Sequence, residues 1–134
     1  MKTYIVAYLA TLIVFTAIDF IWLSTMADRL YRPILGDMLS PRFRLAPAVV
    51  FYLIYAVGLT FFAVRIGLVS GSSATAALYG ALVGFTAYAT YDLTNQSTLK
   101  NWSTTLTIAD LFWGTFLSAL SAGISSWITQ WIDG

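Results

Sequence analysis

YIVAYLATLIVFTAIDFIWLSTM, residues 4–26, is apolar over a full membrane thickness and contains one charged residue, Asp19. A bilayer core of about 30 Å takes roughly 20 helical residues to cross, so this stretch reads as a membrane span. An acid in hydrocarbon costs roughly 2.5–3.5 kcal/mol on insertion scales unless it is paired or wetted. The pattern recurs along the chain. Apolar stretches over about 45–64, 74–94 and 104–128 have the same length, and Asp92 and Asp110 lie within or at the ends of the last two. The expectation is an all-α bundle of four membrane helices forming a single transmembrane domain over residues 1–134.

Composition agrees with this. Of 134 residues, 59% are hydrophobic and 10% charged, against about 25% charged in a soluble domain. Cysteine and histidine are absent, as is glutamate, so the acids are six aspartates. Thiolate and imidazole chemistry is thereby excluded within the chain, as are disulfides and His- or Cys-ligated haem and zinc. A net charge of +1 provides no electrostatic footing for nucleic acid. No cofactor is named by any motif, and no dedicated metal set is expected. Met1-Lys2 followed by an apolar run has the outline of a signal peptide. The run passes through Asp19 and Trp22 without a small-x-small cleavage site, so it is expected to be a retained first span.

Orientation follows from the basic residues. Arg29, Arg32, Arg42 and Arg44 lie between the first two spans and Lys100 between the last two, against Lys2 and Arg65 on the other side. The excess places these two loops in the cytoplasm and both termini outside. In the first loop, Leu30, Tyr31, Ile34, Leu35, Met38 and Leu39 alternate with Asp28, Arg29, Arg32 and Asp37. Two readings fit: an interfacial helix on anionic lipid, or a solvated connector.

Spans and orientation together predict where the acids meet. At 1.5 Å per residue, Asp19 lies about 10 Å and Asp110 about 9 Å from the cytoplasmic ends of their helices, and Asp92 lies near the end of the third. All three belong to one layer. Thr16-Ala17-Ile18-Asp19-Phe20-Ile21-Trp22 resembles Thr107-Ile108-Ala109-Asp110-Leu111-Phe112-Trp113, and in each the acid and Trp share a helix face. An inverted repeat and a chance match between apolar helices both account for it. Asn95, Thr98 and Asn101 recur at helical spacing and are expected to extend the third helix as a polar-faced turn, with Trp102 at the interface. The candidate ligand-binding or proton-titrating residues are Asp19, Trp22, Tyr91, Asp92, Asn95, Thr98, Lys100, Asn101, Asp110 and Trp113. Ala76, Gly80 and Gly84, and likewise Gly114, Ser118 and Ala122, have the small-x-x-x-small spacing that lets helices approach closely, within a bundle or in a homodimer.

The run Tyr91-Asp92-Leu93-Thr94-Asn95, then Thr98-Leu99-Lys100-Asn101-Trp102, then Asp110, Trp113 and Gly114 resembles the pattern Y-D-x-T-N, T-L-K-N-W, D-x-x-W-G. This belongs to a family of small bacterial four-span inner-membrane proteins catalogued as a domain of unknown function. Asp19 and Trp22 fit it as well. The resemblance implies a multi-pass protein of the bacterial inner membrane with a polar site, and it implies no reaction.

Two functional classes suit these residues. A binding or transport protein would use Asp92 and Asp110 as titrating groups and Trp22, Trp113 and Tyr91 as an aromatic wall for a flat or cationic ligand, a small molecule or a lipid. Four spans seldom enclose a transport path alone, so transport calls for a homodimer. An intramembrane enzyme would use the three acids to hold Mg²⁺ and the phosphate of a lipid or prenyl substrate, with Lys100 or the loop arginines as phosphate partners. A third option is an accessory subunit whose acids form structural clasps.

Overall fold

The computed structural model describes residues 2–26, 29–30, 33 and 45–133. Most of the first loop, including Asp28, Arg32, Asp37, Arg42 and Arg44, lies outside them. Helix α1 spans Lys2–Met26 and α2 Leu45–Leu59, followed by a π-helical stretch, Thr60–Val64, and α3, Arg65–Ser70. Helix α4 spans Ser73–Thr98 and α5 Thr104–Asp133. No strand occurs among the described residues.

Three helical rods are long and apolar enough to cross a membrane: Lys2–Met26, Ala46–Ser70 and Thr104–Asp133. The sequence reading expects a fourth over 74–94. A helix does form there, and its 26 residues are enough to cross. Its glycines and its end rich in Thr, Tyr and Asn lower its apolar content below that of the other three.

The second rod outruns the expected stretch by a turn and a half, because nothing in Arg65–Ser70 breaks a helix before Gly71. Arg65 therefore lies inside a helix, where its Nε donates to the Phe61 carbonyl at 3.1 Å and its guanidinium lies 4.3 Å above the Phe61 ring. The rod ends at Gly71, whose φ of 71° belongs to the left-handed region that favours glycine. Ser72 then caps α4, its Oγ accepting from Thr75 N at 3.2 Å.

Helices α4 and α5 are antiparallel neighbours joined by the turn at residues 99–103. Gln96 Nε2 donates to Thr104 Oγ1 at 2.9 Å across this turn, and Trp102 Nε1 to Thr107 Oγ1 at 3.0 Å. Their contact is built from the small residues expected to allow close approach. A methyl group added at Gly80 would lie 2.6 Å from the Ser118 carbonyl oxygen and 2.7 Å from Ala122 Cβ. At Gly84 it would collide with Gly114 and Ser118. The two small-residue stripes thus face each other within one chain. Phe15 of α1, Leu59, Ala63 and Val64 of the second rod, and Leu117 of α5 fill the remaining core.

Candidate functional site

Ala76, Gly80, Gly84, Tyr88 and Asp92 follow one another at intervals of four along α4. Asp110, Gly114, Ser118 and Ala122 do the same along α5. Residues four apart share a helix face, so in an antiparallel pair the two series oppose each other rung by rung. Gly80 meets Ser118 and Ala122, Gly84 meets Gly114 and Ser118, and Tyr88 lies on Gly114. The next rung is Asp92 against Asp110. Backbones drawn together by glycines bring these two carboxyl groups beside each other. Asp92 is completely buried and Asp110 is 6% exposed. Among the described residues, neither Asp92 oxygen meets an N–H or O–H donor; the carboxyl faces the other acid. Two carboxyl groups form a hydrogen bond only when a proton lies between them, because an ionised carboxylate accepts and does not donate.

Asp19, 8% exposed, has different surroundings. Trp113 Nε1 donates to its Oδ1 at 3.2 Å, and the Tyr52 hydroxyl donates to its Oδ2. The Trp22 and Trp113 rings stack with centroids 4.2 Å apart and planes 10° from parallel. One carboxylate thereby ties α1, α2 and α5 together, and the two tryptophans close the same joint.

The convergence expected from sequence is therefore divided: an acid pair on α4 and α5, and a clasp around Asp19. No group of three acids able to hold a metal ion occurs among the described residues. Trp22 and Trp113 offer their faces to each other, so they do not form an open wall. Tyr91 is largely exposed, lies near Asp92, Asp110 and Asn95, and meets Trp102 edge-on at 5.9 Å. Helix α4 includes Asn95 and Thr98, and the Thr98 hydroxyl donates to the Thr94 carbonyl at 2.9 Å. Lys100 and Asn101 are exposed in the following turn.

Two features escaped the sequence reading. Tyr52 and Tyr55 point inward from α2: Tyr52 bonds Asp19, and the Tyr55 hydroxyl lies 2.7 Å from Ser118 Oγ. Their signal was available, since tyrosines in the middle of an apolar span are not interfacial anchors. The second is the run Ser118, Ser121, Ser125, Ser126 and Thr129, fully buried along α5. Ser121 Oγ, Ser125 Oγ and the Thr60 Oγ1 of the π stretch have no hydrogen-bond partner among the described residues.

No curated protein and no solved structure matches the chain. The model of the family described as "Predicted membrane protein (DUF2177)" matches residues 4–127, and the chain belongs to that family.

Proposed function

We propose that this chain is a small multi-pass inner-membrane protein that binds or transports a small molecule or lipid, with the Asp92–Asp110 pair exchanging a proton for its ligand. The observation that carries this is Asp92: a fully buried carboxyl without a donor among the described residues, held against a second carboxyl. Such a pair is satisfied by something positive, a proton or a cationic group. A purely structural acid would be expected to have donors around it, as Asp19 does. The chain forms one transmembrane domain with α4 as its fourth crossing and both termini outside. The basic loops place the acid pair toward the cytoplasm, and a homodimer completes any transport path.

A specific observation favours the clasp reading for Asp19 alone, because its two oxygens accept from Tyr52 and Trp113. The lipid-phosphate enzyme draws less support. The three acids it would use do not act as one set, because both Asp19 oxygens already accept from Tyr52 and Trp113.

The test is gentle-ionisation mass spectrometry of the purified protein, wild type beside Asp92→Asn and Asp110→Asn. A small molecule or lipid retained by the wild type and lost from both variants supports the proposal. Identical retention by all three, or none by any, overturns it.

A further inference from the structure

Between α2 and α4 lies a pocket of about 270 Å³ lined by Phe51, Ala87, Tyr88 and Tyr91. Three of these four side chains are aromatic, and the set continues inward. Phe51 stacks on Tyr55 at 5.3 Å, and Tyr55 meets Tyr88 edge-on at 6.5 Å. The pocket opens sideways, since Phe51 and Tyr91 are exposed on the bundle surface that lipid surrounds. It also lies next to the acid pair. Tyr88 is one helical turn before Asp92 on the same face of α4, and Tyr91 immediately precedes Asp92. Tyr91 is within electrostatic range of both Asp92 and Asp110.

Aromatic faces carry negative charge density and attract cations most strongly where water is scarce. A metal ion or a primary ammonium also needs several oxygen acceptors, and among the described residues the side chains of this lining offer only tyrosine hydroxyls. A quaternary or otherwise lipophilic organic cation needs no such acceptors. The pocket is smaller than the ~300–1,000 Å³ of typical ligand sites, which selects a compact ligand.

We propose that the Phe51–Tyr88–Tyr91 pocket binds a lipophilic organic cation that enters sideways from the membrane, its charge resting on the aromatic faces beside the Asp92–Asp110 pair. This rests on reading that pair as facing a ligand. The competing occupant of an apolar pocket in a membrane is a lipid chain, and charge separates the two.

The probe is benzyltrimethylammonium, titrated calorimetrically into the full chain in detergent, with its neutral isostere neopentylbenzene as competitor. Saturable binding of the cation is expected, without displacement by the isostere. Phe51→Leu and Tyr91→Leu keep bulk but remove the ring, and each weakens binding by about threefold to thirtyfold. Tyr91→Phe keeps the ring and binds as the wild type does, and thermal melts of all variants control for folding. Absence of saturable binding, equal competition by neopentylbenzene, or folded leucine variants that bind like the wild type would each overturn the proposal. If the cation is ignored while Asp92→Asn still loses its retained ligand in the mass spectrum, this inference falls and the acid-pair reading stands. If Asp92→Asn changes neither measurement, both fall.

Discussion

The ring of Tyr88 occupies the space where a side chain at Gly114 would begin, so the two residues form one rung of the α4–α5 contact. The flexible end of a long side chain could swing away from an added methyl. Here the colliding atoms belong to a ring held beside Tyr55. Gly114→Ala is therefore expected to destabilise the bundle by about 1–3 kcal/mol, the usual penalty of overpacking. Tyr88→Ala should relieve much of that in the double variant. Thermal unfolding of the two single variants and the double in detergent checks this, and simple additivity would show that the two positions do not compete for space.

Asp19 is the acceptor for two donors from different helices, Tyr52 and Trp113. Asp19→Ala leaves two half-buried donors without their partner and is expected to cost about 1–3 kcal/mol. Asp19→Asn keeps an acceptor oxygen and should cost less. A double-mutant cycle of Asp19→Ala with Trp113→Phe is expected to give a coupling near 0.6 kcal/mol and at most about 1.7, the range found for hydrogen bonds between membrane helices. Zero coupling in thermal melts would mean that the bond does not hold α1 to α5.

The acid layer was legible because it needs only helix length and direction: residues of opposed helices at equal depth must share a level. The α4–α5 ladder was legible for a similar reason, since Gly80, Gly84, Gly114 and Ser118 repeat at intervals of four. Sequence did not show how the acids divide between partners. That depends on helix rotation, which places Trp113 against Asp19 and leaves Asp92 facing Asp110. Hydropathy alone also hid Tyr52, because an apolar helix shows little preference for one face. Helix α4 is likewise marked more by its length than by its apolar content.

Buried hydroxyls on α5 fall into two kinds. Ser118 Oγ pairs with the Tyr55 hydroxyl at 2.7 Å, whereas Ser121 Oγ and Ser125 Oγ have no partner. Ser121→Ala and Ser125→Ala each remove an unsatisfied group and should leave stability unchanged or raise it. Ser118→Ala strands the tyrosine hydroxyl and is expected to cost about 1–3 kcal/mol. Melting temperatures that fall equally for all three variants would indicate that Ser121 and Ser125 have partners in the membrane, such as bound water.

The chain contains no cysteine, so a single introduced thiol reports its own location. Lys100 is exposed in the α4–α5 turn, and Ser72 lies in the α3–α4 turn at the opposite end of α4. With both termini outside, Lys100→Cys should react with a membrane-impermeant thiol reagent only after the membrane is opened, and Ser72→Cys should react in intact cells. The reverse pattern would invert the proposed orientation. Labelling of both from one side would mean that α4 does not cross.

Asp92 is where stability and function are expected to oppose each other. Its carboxyl is fully buried beside that of Asp110 and receives no donor from the described residues. Amide replacement keeps size and supplies a donor where the pair otherwise depends on a shared proton, because the new N–H₂ can donate to Asp110. Asp92→Asn should therefore melt at or above the wild-type temperature while losing its ligand. Sites kept for function commonly have such a stability cost. A fall in melting temperature as large as that of Asp19→Ala would instead make Asp92 a second clasp, and the case for proton exchange at this pair would go with it.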